Sequence, residues 1–156
     1  MPDLNRSQII YLIAMNSGKG IHLRGVDLST VDLRSLDLSD ANLSQSKIDR
    51  ANLNKVDLNH ANLEQANLEY ADLSEANLVG ANLKEALLIG ADLRSADLTD
   101  ANLQNADLRN VNFRGAVLIR ANLWHAKLKD ANLLFADTEG AKGLPLEIYE
   151  DLQGGK

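Results

Sequence analysis

The chain has 156 residues, of which 45% are apolar but only 4% are aromatic, and its net charge is −6. The core must therefore consist mainly of Leu and Ala, and the negative charge argues against nucleic acid as a direct ligand, because an acidic surface repels phosphates. Since cysteine is absent, disulfides and thiolate chemistry are excluded, and no apolar run approaches the roughly 20 residues that span a bilayer.

Residues 1–20 differ from the rest of the chain and are predicted to form an N-terminal helical cap. Asp3 or Ser7 is a candidate N-cap residue, Ile9 and Ile13 belong to an apolar stripe, and Asn16 begins a helix stop. Stacked repeats leave unpaired backbone groups at each end, so a covering element is expected there. The segment lacks the layout of a secretion signal, and we expect a cytoplasmic protein without membrane contact.

Residues 21–140 consist of 24 pentads in one register, without insertion or deletion. Each pentad reads Ala, Asn or Asp, Leu and two free positions, and residues 61–83 (ANLEQ ANLEY ADLSE ANLVG ANL) follow this rule almost literally. The first positions begin with Ile21 and end with Ala136, and the third positions begin with Leu23 and end with Thr138. So long an unbroken repeat predicts a solenoid.

A period of five fits neither a helix nor a long strand. On an α-helix, successive Leu residues would lie about 140° apart, and on a strand an odd spacing would alternate the faces. A short extended piece instead points the first and third positions the same way, and the fourth and fifth positions turn a corner. Four corners close a square coil of twenty residues, and 24 pentads predict six coils.

The repeat resembles the pentapeptide-repeat family, whose motif A-[D/N]-L-x-x is matched by most pentads between Ala41 and Ala136. The resemblance implies an all-β solenoid, a right-handed quadrilateral β-helix with inward first and third positions and short helical caps at both termini. Two departures from the motif are mild: Phe113 replaces a core Leu, and Thr138 replaces the Leu of the last pentad. We therefore divide the chain into residues 1–20, 21–140 and 141–156, the last being a C-terminal cap or tail.

Adding twenty to a residue number sorts the surface into four faces. Face 1 begins at Ile21, face 2 at Val26, face 3 at Val31 and face 4 at Leu36. Faces 1 to 3 are each neutral, whereas face 4 has a balance of −6, with only Arg120 opposing seven acidic residues. These candidate contacts for a basic partner are Asp37, Asp40, Asp57, Asp97, Asp100, Asp137 and Glu139.

Two interpretations of face 4 remain open. The second-position Asp residues accept turn hydrogen bonds in one interpretation, and attract a positively charged partner in the other. The family resemblance makes the second concrete, because some bacterial members mimic duplex DNA and occupy the DNA-binding saddle of DNA gyrase. The uninterrupted register and the modest net charge argue against a gyrase inhibitor.

Apolar residues at outward positions are the second irregularity. Candidate contact residues are Leu87, Ile89, Trp124, Leu134 and Phe135. The last three fall in the final coil, where the tail could cover them, because Leu146, Tyr149 and Leu152 share one side of a short predicted helix. The alternative is a homodimer through the C-terminal coil, which the family resemblance implies. Leu87 and Ile89 are candidates for a separate docking site.

Catalysis finds little support in the sequence. His22, His60 and His125 lie on different coils, no nucleophile triad or phosphate loop occurs, and a narrow coil filled by Leu and Ala leaves no substrate pocket. We predict no catalytic, cofactor-binding or metal-binding residues. The sequence thus predicts a noncatalytic scaffold with an unidentified protein partner, and the alternative is a DNA mimic that binds gyrase or another topoisomerase through its acidic face.

Overall fold

The computed structural model describes residues 1–16 and 20–148, which form one helix followed by a stack of coils. Helix α1 covers Arg6–Met15. Asn5 is its N-cap: the Asn5 side chain accepts the backbone N–H of Gln8, and the Gln8 side chain accepts the N–H of Asn5. This reciprocal pair satisfies two donors at the start of the helix.

The expectation that Asp3 or Ser7 caps α1 is wrong, because Asp3 is held by the first coil instead. Its N–H donates to the Asp27 carbonyl at 2.7 Å, and its carboxylate accepts the Asp27 N–H at 2.8 Å. Asn5, two positions closer to the helix, then takes the capping role. A tertiary contact has therefore displaced the local preference.

Parallel backbone bridges join each second-position residue to the residue twenty positions later, from His22 with Asn42 to Asn122 with Lys142. Each coil therefore contains twenty residues on four sides, as the pentad register predicts, and the pattern of one bridge and one turn recurs from 21 to 140. We number the resulting coils 1 to 6. Each extended piece is a single bridged residue, because a turn follows every third position.

The hydrogen bonds of one pentad explain why Asn and Asp recur at the second position. In residues 61–65, the second-position N–H binds the coil before, the third and fifth bind the coil after, and the first closes the preceding turn. Only the N–H of Glu64 remains, and it donates to the side-chain oxygen of Asn62 at 3.1 Å. The second-position side chain thus accepts the one amide that the ladder leaves over.

The fifth position turns the corner through a positive φ in all 24 pentads, and 19 of these residues are not glycine. Such a conformation costs a side-chain-bearing residue on the order of 1 kcal/mol. The corners therefore accept large side chains, as Tyr70 (φ 57°) and Phe135 (φ 62°) show. Substitutions at this position change the surface more than the backbone.

The interior is filled by the first- and third-position side chains. Third positions from Leu23 to Leu123 are at most 2% exposed, and Phe113 fits among them with no exposed surface. First positions are small in the middle coils, as with Ala61, and larger in coil 1, as with Ile21. The larger residues fill the end of the core, where Ile9 of α1 is also fully buried.

The segment after coil 6 continues the stack on face 1 only. Lys142 pairs with Asn122, and Leu144 is buried behind it. A helical turn begins at Leu146, whose side chain is exposed. Tyr149 and Leu152, which were predicted to share a side with Leu146, lie outside the described residues.

Within residues 1–16 and 20–148, no helix has the length and apolar character needed to cross a membrane.

Candidate interaction surfaces

The second-position acids of face 4 hold turns. Asp37 accepts the N–H and hydroxyl of Ser39 at 3.0 and 2.6 Å, and these bonds lower the pKa of Asp37. In the same position, Asp57, Asp97 and Asp137 accept the N–H two residues later at 2.9 to 3.1 Å. Four of the seven predicted contact residues therefore have a structural task in the repeat.

The remaining acids of face 4 differ in pairing. Asp100 binds Arg120 through two hydrogen bonds of 2.8 and 2.6 Å, and the guanidinium lowers the pKa of Asp100. Within the described residues, the Asp40 and Glu139 side chains form no hydrogen bond or ion pair. The two carboxylates lie in coil 1 and coil 6, at opposite ends of the face.

The acidic residues of face 4 form two groups rather than one row. Coil 3 contributes Asn77, Val79 and Gly80 to this face, and none of them is charged. The His60 ring lies over Gly80, since a Cβ built there would clash with the His60 Nδ1. Coil 3 is therefore uncharged on this face, and it separates the acids of coils 1 and 2 from those of coils 4 and 6.

The centre of face 2 carries an apolar patch that we define as Tyr70, Leu87 and Ile89. Leu87 is 41% exposed and Tyr70 57%, and the Tyr70 N–H donates to the Ile89 carbonyl at 3.0 Å. The Tyr70 ring lies over Gly90, and the Arg50 guanidinium stands 5.4 Å from the ring centroid. The structure thus brings Tyr70 next to the predicted pair of Leu87 and Ile89.

Tyr70 is absent from the predicted contact residues, although the register contains the signal for it. It stands twenty residues before Gly90, in the same corner and one coil away from the Leu87 pentad. A glycine below an aromatic residue leaves room for the ring to lie flat along the stack. Aligning the fifth positions of successive coils places Tyr70 above Gly90, and therefore beside Leu87 and Ile89.

The three apolar residues of coil 6 do not form one cluster. Trp124 lies on face 1, next to His125 with 6.2 Å between ring centroids. Leu134 and Phe135 lie on face 3, on the opposite side of the coil. Phe135 is 72% exposed, and the Arg114 guanidinium lies 5.7 Å from its ring centroid. Leu134, at 52%, is also exposed, so these residues mark two separate surfaces.

Arginines at the fourth position usually bind the Asp two residues before them. Arg34 binds Asp32, and Arg94 binds Asp92, with shortest distances of 2.8 and 2.6 Å. On face 2, Arg109 and Lys127 both bind Asp107, which is almost fully buried, and the Arg109 hydrogen bond contributes most to lowering the pKa of Asp107. An arginine at this position is therefore usually neutralised within its own pentad on faces 2 and 3.

Metal-ligating side chains do not converge in the part of the chain that the structure describes. No group of three His, Cys, Asp or Glu side chains there could hold a metal ion. His22 and His125 lie on face 1 in the first and last coils, and His60 lies on face 4. The candidate functional features of the surface are therefore charged and apolar side chains, and they are spread over all four faces.

A filled four-sided stack of twenty-residue coils, with its variation confined to outward positions, defines the chain as a β-solenoid repeat protein. The family model of pentapeptide repeats matches it in eight copies, over residues 19–48, 46–84, 76–115 and 96–134. The chain belongs to the pentapeptide repeat family, as its motif predicts. No curated protein sequence matches it.

Solved structures of the family resemble the chain. A pentapeptide repeat protein from the Arabidopsis thaliana thylakoid lumen is 30% identical, with 67% of this chain and 69% of that chain covered and a TM-score of 0.48. A trypsin-treated form of QnrB1, a plasmid-mediated fluoroquinolone resistance protein, is 22% identical, with coverage of 90% and 73% and a TM-score of 0.50. The second likeness supports the fold alone.

Proposed function

We propose that the protein is a noncatalytic scaffold that binds another protein through its outer faces. The observation that carries this proposal is Leu87, which stands where the repeat favours Asn or Asp. Within the described residues, the N–H of Ile89 has no hydrogen-bond acceptor, because Leu87 cannot accept it as Asn62 accepts that of Glu64. A residue that costs a turn hydrogen bond and exposes apolar surface is explained by contact with a partner.

The cost of Leu87 to the fold is testable by itself. Leu87→Asn restores an acceptor for the Ile89 N–H, and we expect it to raise the free energy of unfolding by about 0.5 to 1 kcal/mol. The measurement is urea denaturation of both proteins under the same conditions. A loss of stability would show that Leu87 serves the fold, and the argument from its cost would fail.

Partner binding through the face 2 patch is tested by capture from the source cell. The double variant Tyr70→Ser and Leu87→Asn should lose a protein that the wild type retains, because it removes the aromatic anchor and its apolar neighbour. Trp124→Ser, which removes a comparable exposed side chain (53%) on face 1, is the matched control. Equal capture by all three proteins would contradict a role for this patch.

A second candidate function, favoured by the charge of face 4, is DNA mimicry against DNA gyrase or another topoisomerase. Asp40 and Glu139 carry the argument, since neither pairs within the described residues and both are free to meet basic side chains. A supercoiling assay with titrated protein should then show inhibition that the double variant Asp40→Asn and Glu139→Gln weakens. Glu64→Gln with Glu85→Gln removes the same charge from face 1 and is the control.

We also infer that α1 and the C-terminal segment act as caps of a right-handed β-helix, the second of them on face 1 only. On the other faces of coil 6, we infer that two copies of the chain join as a homodimer. On faces 2 to 4 the N–H groups of Leu128, Leu133 and Thr138 have no acceptor among residues 1–16 and 20–148. An edge with free donors can pair with a second backbone, and Leu134 lies exposed beside it.

Light scattering distinguishes this dimer from a monomer. Leu134→Glu places like charges at the proposed interface and should yield a monomer, whereas Trp124→Ala lies on face 1, where Lys142 already pairs with the edge, and should leave the mass unchanged. A wild-type protein that is monomeric at every concentration would overturn the inference.

A further inference from the structure

Arg114 differs from the other arginines at the fourth position of faces 2 and 3. Arg34, Arg94 and Arg109 each bind an Asp two residues earlier. Asn112 stands at that place before Arg114, and its side-chain oxygen accepts only the Arg114 backbone N–H, at 3.2 Å. Within the described residues, no carboxylate lies within ion-pair distance of the Arg114 guanidinium.

The free guanidinium borders a groove of about 540 Å³ on face 3. The groove exists because the corner residues Ser95 and Gly115 are short, whereas Glu75 and Phe135 stand at its two ends. A Cβ built on Gly115 would meet only the Ser95 hydroxyl, at 3.7 Å. Three steps of about 4.8 Å separate the ends, so the groove matches about four extended residues of about 3.3 Å each.

Charge sets the direction in which a ligand would lie. The Arg114 end offers guanidinium donors over the Phe135 ring, and a carboxylate accepts such donors in a bidentate arrangement. Glu75 at the other end repels a carboxylate and is itself paired with Lys55 at 3.4 Å. The groove is open along its length, which suits a peptide chain better than a small molecule that needs enclosure.

We propose that this face 3 groove, which we define by Glu75, Ser95, Arg114, Gly115 and Phe135, binds an extended segment of a partner protein. The segment carries an Asp or Glu side chain that binds Arg114 and has small residues over Ser95 and Gly115. This inference rests on the proposed scaffold function, whose partner class it names. It does not depend on the face 2 patch or on face 4.

Three substitutions each alter a different feature of the site while keeping the repeat. Arg114→Gln removes the cation. Asn112→Asp supplies the missing carboxylate, so that Arg114 is bound as Arg94 is by Asp92. Gly115→Asn fills the groove, and Asn is accepted at this corner, since Asn105 and Asn110 already have positive φ.

Matched controls make the same chemical changes elsewhere. Asn52→Asp adds the same charge to face 3, three coils away from Asn112. Gly25→Asn places the same side chain at a corner of face 1, where a Cβ meets nothing within 4 Å. Circular dichroism and thermal unfolding verify that all five variants remain folded.

The probe is a phage-displayed library of random heptapeptides, selected on the wild-type protein. Selected peptides should share an acidic residue, and fluorescence anisotropy should show at least about tenfold weaker binding to Arg114→Gln, Asn112→Asp and Gly115→Asn. The two controls should bind as the wild type does. Selection of no peptide, of peptides without an acidic residue, or of peptides that bind the three variants equally well overturns the proposal.

The capture experiment and the peptide selection together separate this inference from the scaffold function. If capture from the source cell depends on Tyr70 and Leu87 while the peptide selection fails, the groove proposal alone is overturned. If acidic peptides bind the groove but the capture experiment yields no protein, the groove stands and the face 2 patch has no demonstrated role.

Discussion

The two ends of the solenoid are finished differently. At the N-terminal end, Asp3 pairs with both backbone groups of Asp27, and the Arg6 guanidinium donates to the carbonyls of Asp32 and Arg34, each at 3.0 Å. These are groups that a preceding coil would otherwise use. At the C-terminal end, the described residues after coil 6 pair with face 1 only.

The difference shows what closes a repeat stack. Covering the core is one part, and Ile9 does this at the first coil. The other part is to imitate the hydrogen bonds of a missing coil, which Asp3 does with a backbone N–H and a carboxylate. Among the described residues nothing after coil 6 does the same on faces 2 to 4, where the N–H groups of Leu128, Leu133 and Thr138 have no acceptor.

The largest expected effect uses two leucines from one column of face 3. Leu33 lies in coil 1 with no exposed surface, and Leu133 lies in coil 6 with 7% exposed. Leu33→Ala should lower the free energy of unfolding by about 3 kcal/mol, and Leu133→Ala by about half of that, because a side chain at an open end leaves a smaller cavity. Urea denaturation at a concentration where the protein is monomeric measures both.

Leu73→Ala, in the middle of the same column, is the reference for a fully enclosed position. It should resemble Leu33→Ala. If Leu133→Ala costs as much as either of them, the C-terminal end is packed as tightly as the interior, and the contrast between the ends fails.

Most of the architecture could be predicted because a period of five is incompatible with a regular helix or strand and leaves a four-sided coil. The site was less accessible. Whether Asp100 is free depends on Arg120 twenty residues later, which the register places correctly but whose rotamer only the structure gives. Tyr70 and Arg114 were detectable in principle, the first as a corner above Gly90 and the second as an Arg without its Asp.

The roles of Asp3 and Asn5 could not be predicted from local rules. Both are good N-cap residues, and their positions relative to the helix start differ by only two. The choice depends on where the first coil places the Asp27 backbone, which is a contact across 24 residues of sequence. Local capping preferences do not depend on such a long-range contact.

A smaller effect is expected from removing the Asp3 hydrogen bond that replaces a preceding coil at the N-terminal end. Asp3→Ala deletes the acceptor of the Asp27 N–H and should lower the free energy of unfolding by about 1 kcal/mol. Asp3→Asn keeps an oxygen acceptor and is the control, with a smaller loss expected. Amide exchange should show the opening in coil 1 and not in coil 6; exchange that rises equally in both coils would contradict a local closing role.

The smallest expected effect is a pH dependence confined to the N-terminal end. Hydrogen bonds from the Arg34 side chain hold the pKa of Asp32 well below its usual range, and Arg6 adds a longer contact at 3.5 Å. A carboxylate with a lowered folded pKa stabilises the fold above its unfolded pKa of about 4, and this contribution is lost as the pH falls toward the folded value. Amide protection in coil 1 should therefore decrease relative to coil 3 between about pH 5 and pH 2.

Asp32→Asn should reduce this difference between the coils, because no carboxylate then titrates beneath Arg6. The remainder belongs to Asp27 and Asp37 of coil 1, since hydrogen bonds from Ser29 and Ser39 also lower their pKa values. Asp72→Asn, in the same column but two coils away from α1, should leave the loss in coil 1 unchanged. If coil 1 and coil 3 lose protection together in the wild type, acid acts on the whole stack, and the contacts of α1 with Asp32 are not what distinguishes the N-terminal end at low pH.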